Sequence, residues 1–170
     1  MADFPTGVAV VTTTDLSGRP HGFTCSALCS VTVTPPTLLV CANLHGAFLA
    51  ALLERGLFAV NLLAESAIPT ATRFSAASIE RFADLAWLPG PATGMPLLRD
   101  DVCGAAECQV GRAIPVGDHM IVLGSVRAVR SHQDEPLVYG RRRYGRFGPP
   151  ASPVDHDRSS SLPQAAVTVS

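Results

Sequence analysis

The sequence predicts a mainly β fold, an antiparallel barrel with a few short helices across one end. Three observations carry this. About six to eight short runs rich in β-branched and apolar residues follow one another with little helical pattern between them. Glycine and proline, 14 of each in 170 residues, break those runs at turn-like intervals. No run is followed by the G-x-G-x-x-G turn that would open a parallel βαβ unit.

In chain order, Gly7 to Thr14 (GVAVVTTT) is apolar or β-branched almost throughout, which predicts a strand buried on both faces. Asp15-Leu16-Ser17-Gly18 closes it with turn chemistry. Arg19 to Cys25 resumes an extended pattern and Val31 to Val33 continues it. Pro35-Pro36 then punctuates before the apolar run Thr37 to Ala42. His45 to Arg55 sets Phe48, Leu49, Leu52 and Leu53 on one face with Gly56 just beyond, predicting an amphipathic helix with a glycine stop. Leu57 to Leu62 reads as another buried strand. Residues 66–82 predict two short helices, and 85–98, with its prolines, glycines and Trp87, a loop. Cys103 to Val110 alternates weakly, with Ala106, Cys108 and Val110 opposite Glu107 and Gln109, as a half-exposed strand would. His119 to Val129 is the longest late strand, and Leu137 to Arg142 begins the last. Residues 1–148 are expected to form one domain and 149–170, polar and proline-rich, a disordered tail.

Composition narrows the function classes. A net charge of -1 argues against a nucleic-acid binder, which needs a basic excess to displace counterions, and against a polybasic membrane anchor. No run of about 20 apolar residues is present, and the N-terminus lacks a cationic stretch before an apolar one, so a cytoplasmic address is expected. With 47% hydrophobic and only 16% charged residues, the chain carries more apolar surface than a lone monomer hides, which predicts a homodimer. Cys25, Cys29, Cys41, Cys103 and Cys108 show no C-x-x-C spacing and no nearby His in sequence, so buried, reduced thiols are expected and no metal site. All 13 basic residues are arginine.

Three segments hold residue types suited to chemistry. Gly22 to Ser30 gathers small side chains and hydroxyls, which let a planar ligand approach the backbone and equally suit a packed barrel corner. Gly117-Asp118-His119 is a turn that launches a strand with an imidazole at its lip, either a structural hydrogen-bond partner or a group that touches a ligand. Tyr139 to Tyr144 (YGRRRY) is either a solvated face or a phosphate clamp, since arginine forks match phosphate oxygens.

The order of Thr6 to Thr13, Gly22-Phe23-Thr24, Ser30-Val31, Thr34-Pro35-Pro36, Phe58 to Asn61, Arg81-Phe82, Glu107-Cys108, Gly117-Asp118-His119 and Pro136 to Tyr139 resembles the short-chain NAD(P)H:flavin oxidoreductase family, the reductase components of two-component flavin monooxygenases. The resemblance spans Phe4 to Tyr144. It implies an FMN-binding split β-barrel, a homodimer, FMN or FAD, NADH or NADPH as hydride source, and a monooxygenase that receives the reduced flavin. It assigns flavin contacts to Thr24, Cys25, Ser26, Ala27, Cys29 and Ser30, the ribityl or phosphate end to Asn43 and His45, and a less certain contact to Tyr144. Gly117 and Asp118 would form the turn that sets His119, the catalytic candidate, beside flavin and nicotinamide. One departure is Leu44-His45-Gly46, where relatives often carry Arg-Ser-Ser; the thinner set of phosphate donors implies weakly held flavin that leaves after reduction. Two other readings stay open: a non-catalytic flavin- or heme-binding split barrel, and an enzyme of the pyridoxamine-phosphate-oxidase type, which the lack of lysine disfavours.

Overall fold

In the computed structural model, which describes residues 3–77 and 80–148, twelve strands and two helices follow one another. They are β1 (Thr6–Gly7), β2 (Ala9–Thr14), β3 (Pro20–Cys25), β4 (Leu28–Val33), β5 (Pro36–Asn43), α1 (Ala47–Arg55), β6 (Leu57–Leu63), α2 (Ile68–Ser75), β7 (Trp87–Pro89), β8 (Pro96–Leu98), β9 (Val102–Val116), β10 (His119–Ser131), β11 (Leu137–Gly140) and β12 (Arg143–Arg146). The expected tail at 149–170 lies outside the described residues.

Seven strands make one antiparallel sheet in the order β3-β2-β6-β9-β10-β5-β4. It rolls until β3 comes back to β5. There the Cys25 thiol donates to the Cys41 carbonyl at 3.9 Å and the Cys41 N–H donates to the Ala27 carbonyl at 3.1 Å, but no ladder of backbone bonds joins β3 to β5. The barrel is therefore split along this seam. β9 and β10 slip register between Leu123 and Gly124 and again between Val126 and Ala128, bulges that bend long strands around a closed core. Gly124 has a steric reason to be glycine: a Cβ there would run into the ring of Phe58.

β2 is buried at every position because its two faces serve different cores. Ala9 and Val11 point into the barrel with Val40, Phe48, Leu52, Phe58, Val60 and Val122. Val10 instead joins Val8, Ala71, Phe74 and Leu137 on the other side. Helix α1 fills the first core and α2 the second, so the helices lie on opposite faces of β2 and not together across one end as expected. The predicted stop of α1 is present: Gly56 adopts φ 69° and its N–H donates to the Leu52 carbonyl. Leu53, expected on the buried face, is exposed, and Ala51 is buried instead.

Other expectations need correction. Only one helix, α2, opened by Ile68-Pro69, occupies the region read as two; residues 81–84 are turns and 78–79 lie outside the described residues. The stretch read as a loop contains the hairpin β7–β8, fixed to the sheet by buried Asn61. Asn61 Nδ2 donates to the Val10 carbonyl at 3.1 Å, its Oδ1 accepts the Leu98 N–H at 2.9 Å, and Thr12 Oγ1 donates to the Pro96 carbonyl at 2.5 Å. β9 is not half-exposed at Glu107, which is 2% accessible because its carboxylate accepts the N–H groups of Ala92 and Thr93 and the Thr93 hydroxyl. Among the thiols, Cys29 is exposed, while Cys25 and Cys108 are buried as expected.

Candidate active site

The alternation of β3 decides what faces the seam. Gly22 and Thr24 turn outward to α2: a Cβ on Gly22 would lie 2.8 Å from the Phe74 ring, and the Thr24 hydroxyl donates to the Ala71 carbonyl at 2.6 Å. His21 and Phe23 turn the other way, where Phe23 packs on Phe48 with ring centroids 4.7 Å apart. Between β3, the end of β5, the start of α1 and residues 81–82 lies a cleft of about 520 Å³. Its walls include Phe23, Phe48 and Phe82; its polar rim includes Arg19, His21, Asn43 and Arg81. The size suits a small organic ligand.

A turn holds one side of that rim rigid. The Asp15 carboxylate accepts the N–H groups of Ser17 and Arg19 at 3.0 Å each, the Ser17 hydroxyl at 2.6 Å, and meets His21 Nε2 at 3.1 Å. The Ser17 hydroxyl first and His21 second hold its carboxyl well below the usual range. Arg81 clamps the other side: its Nε and Nη2 donate to the Ala76 carbonyl and its Nη1 to the Gly22 carbonyl at 2.7 Å. Phe82 is seated edge-on against Phe74 and Trp87.

The β10–β5 register brings the Gly-Asp-His turn to the same end of the barrel, with His119 opposite Asn43. The Leu44 N–H donates to the Asp118 carbonyl at 3.0 Å, and Asn43 Oδ1 accepts the His45 N–H at 2.8 Å. Gly117 sits at φ 58°, which lets the turn close in two residues. His119 Nδ1 lies 2.7 Å from Asp118 Oδ1, and the ring is half-exposed. The His119 hydrogen bond above all, with the charge of His45 as a smaller cause, keeps the Asp118 carboxyl below its ordinary value. Helix α1 starts at Gly46 with no side chain capping it.

Asn43, His45, Gly117, Asp118 and His119 are thus brought together, and of these five Asn43 alone lines the cleft. Ser26 and Ala27 form the exposed link from β3 to β4 next to this end, since Ala27 bonds to Cys41. Thr24 is engaged by α2, and Cys25 is a core thiol that burial pushes up to about 11. Exposed Cys29 and Ser30 lie further along β4, where Ser30 borders a second groove of about 310 Å³ lined mainly by Leu28, Leu38, Val60, Leu62, Ala106 and Val126. Tyr144 stands apart, its ring tilted against that of Tyr139 in the separate sheet β1-β11-β12, at a third groove beside Arg141 and Arg143. Among the described residues no cluster of His, Cys, Asp or Glu is arranged to hold a metal ion. The sequence reading missed Arg19, His21, Phe48 and Phe82 as cleft residues.

Comparison with known proteins gives a consistent picture. The profile of the family described as Flavin reductase like domain matches residues 1–148. The chain is 48% identical to the flavin reductase (NADH) of Kitasatospora aureofaciens over 98% of this chain and 86% of that protein. It is 46% identical to the flavin reductase (NADPH) of Lentzea aerocolonigenes over 88% and 87%. Among solved structures, the NADH:FAD oxidoreductase of Streptomyces globisporus, in complex with NAD and FAD fragments, superposes with a TM-score of 0.82 at 32% identity, covering 88% of this chain and 90% of that one. The styrene monooxygenase flavin reductase of Pseudomonas putida superposes with a TM-score of 0.80 at 29% identity, over 88% and 95%.

Proposed function

We propose, from the premise that the chain belongs to the flavin reductase-like family, that it is an NAD(P)H-dependent flavin reductase working at the split of its barrel. The observation that carries this is the family match across residues 1–148, joined to a cleft whose residues fit the ligand. A planar, apolar ring system with a polar edge and an anionic tail needs an aromatic wall, backbone groups and cations. Phe23 and Phe48 supply the wall, Asn43 and His21 the polar groups, and Arg19 and Arg81 the cations. Flavin, when bound, supplies the two-electron acceptor for a hydride from NADH or NADPH.

The protein's own residues position and shield. Phe23 and Phe48 exclude water from one side of the cleft. His119, fixed through Nδ1 by Asp118, presents Nε2 at the lip to orient the nicotinamide or to donate a hydrogen bond as negative charge develops. Asn43 and the uncapped start of α1 offer a few donors to a phosphate, in keeping with flavin that binds and leaves. The reduced flavin would pass to a separate monooxygenase, a reading in line with the Pseudomonas neighbour, which is named as the flavin reductase of a styrene monooxygenase.

A homodimer belongs to this reading. The second groove continues into exposed Val33, Leu62 and Val129, an apolar surface on the barrel's inner face that a second copy of the chain would cover. Five unpaired cysteines fit a reducing, cytoplasmic setting, and among the described residues no helix is long and apolar enough to cross a membrane. The test is the initial rate of NADH and NADPH oxidation with FMN, FAD or riboflavin added in excess. Rates that saturate in both nucleotide and flavin support the reductase. Bound flavin without nicotinamide oxidation would favour a flavin carrier.

A further inference from the structure

Resting on the reductase reading, we propose that Arg19 and His21 form a rim that recognises a phosphomonoester and so decides which nucleotides the cleft prefers. Four observations converge. First, among the described residues no carboxylate lines the cleft, whereas Arg19 and Arg81 do, with His21 beside them, so its field favours an anion. Second, the two arginines are not equivalent. Arg81 spends its Nε and both Nη groups on the Ala76 and Gly22 carbonyls and contributes charge without a free fork. The Arg19 guanidinium is exposed and makes no hydrogen bond or ion pair among the described residues; only its backbone N–H is used, by Asp15.

Third, Asp15 is already occupied by two N–H groups, one hydroxyl and the His21 ring, so it orients the rim without drawing the Arg19 side chain away. Its contact with His21 is through Nε2, and His21 also lines the cleft. Fourth, Arg19 and His21 are two residues apart at the start of β3, on the side that carries Phe23, so an arginine fork and an imidazole sit beside an aromatic wall.

A fork plus a second donor matches the terminal oxygens of a phosphomonoester, which carries close to two charges, better than a bridging phosphate with one. Two nucleotides of the reaction carry such a group, FMN at its 5′ end and NADPH at its 2′ position. The shared chemistry is the phosphomonoester, and the experiment separates the sources.

The full chain and its Arg19→Gln, His21→Gln and double variants would be titrated with FMN and with riboflavin by flavin fluorescence, and assayed with NADPH and NADH at saturating flavin. If the rim holds the flavin phosphate, the double variant lowers the preference for FMN over riboflavin about 10- to 100-fold, as expected for the loss of charge-assisted hydrogen bonds. If it holds the nicotinamide nucleotide, the NADPH to NADH ratio of kcat/KM falls by a similar factor and the flavin preference does not. Arg19→Gln, at an exposed residue, gives part of the effect in a folded protein even where the double variant is unstable. Both ratios unchanged in folded variants overturn the proposal. A wild-type protein that oxidises neither nicotinamide with any flavin sinks the reductase reading instead, and the fluorescence titration still decides the rim.

Discussion

The two ends of the barrel's inner face are built from the same strands and finished differently. β5 runs between them: Pro36, Thr37 and Leu38 border the apolar groove, while Ala42 and Asn43 border the cleft. At the cleft end α1 packs against β2 and β3 and its first residues line the opening, with aromatic rings beside a rim that carries Arg19 and Arg81. At the groove end no helix among the described residues covers Leu38, Val60 and Val126, and no charged residue lines the opening. The lesson is that an opening in a barrel takes its role from what borders it. Cations and amides ask for an anionic nucleotide; bare aliphatic surface asks for another aliphatic surface.

The largest way to break this contrast is to remove the floor of the cleft. Phe48→Ala deletes a ring that is 6% exposed and shared by the cleft wall and the barrel core, and should cost about 3–5 kcal/mol in urea unfolding. Next comes the groove. The pair Leu62→Arg and Val129→Arg places charge where a second copy would press, so light scattering should show dimer dissociation about 100-fold easier, roughly 2.7 kcal/mol. A smaller effect belongs to the cleft mouth: His119→Ala should lower kcat/KM for nicotinamide about 5- to 150-fold, equivalent to about 1–3 kcal/mol, with the fold retained because the ring stands exposed on a turn.

The smallest concerns the rim's anchor. Because Asp15 titrates below its usual range in the folded chain, its contribution is fully present above the unfolded value of about 4 and is lost as pH falls below it. The acid-side drop in melting temperature between about pH 4 and pH 2 should therefore shrink in Asp15→Asn. An identical drop in both proteins would mean that the turn contributes nothing to the folded state's proton balance.

Much of the barrel was legible because local pattern and tertiary role agree there. The run GVAVVTTT yields a strand with no solvent face over Ala9 to Thr14, although Gly7 is exposed and belongs to β1 in the smaller sheet, and the Phe48-Leu49-Leu52 stripe before Gly56 forms a helix with a stop. Glu107 misled because alternation marks a carboxylate as outward, while its partners in the folded chain are N–H groups 14 and 15 residues upstream. The β7–β8 hairpin was hidden for a related reason: its prolines read as loop, and what holds it is Asn61 on a distant strand. For the site, the resemblance gave Asn43 and His45 to the ribityl or phosphate end and Gly117 to His119 to the flavin and nicotinamide rings, and the register of β5 on β10 makes the two sets neighbours. The cation rim was not legible, because Arg19 and His21 acquire their meaning only beside Phe48 and Phe82, which arrive from elsewhere in the chain.

The central claim is that nucleotide binds at the barrel's split and not at its apolar end, and hydrogen–deuterium exchange with and without saturating FMN tests it most directly. The account predicts slowed exchange in residues 19–24, 42–48, 80–83 and 117–119, with 124–129 unchanged by the ligand. Protection confined to 28–33 and 124–129, with the cleft segments unaffected, would contradict it.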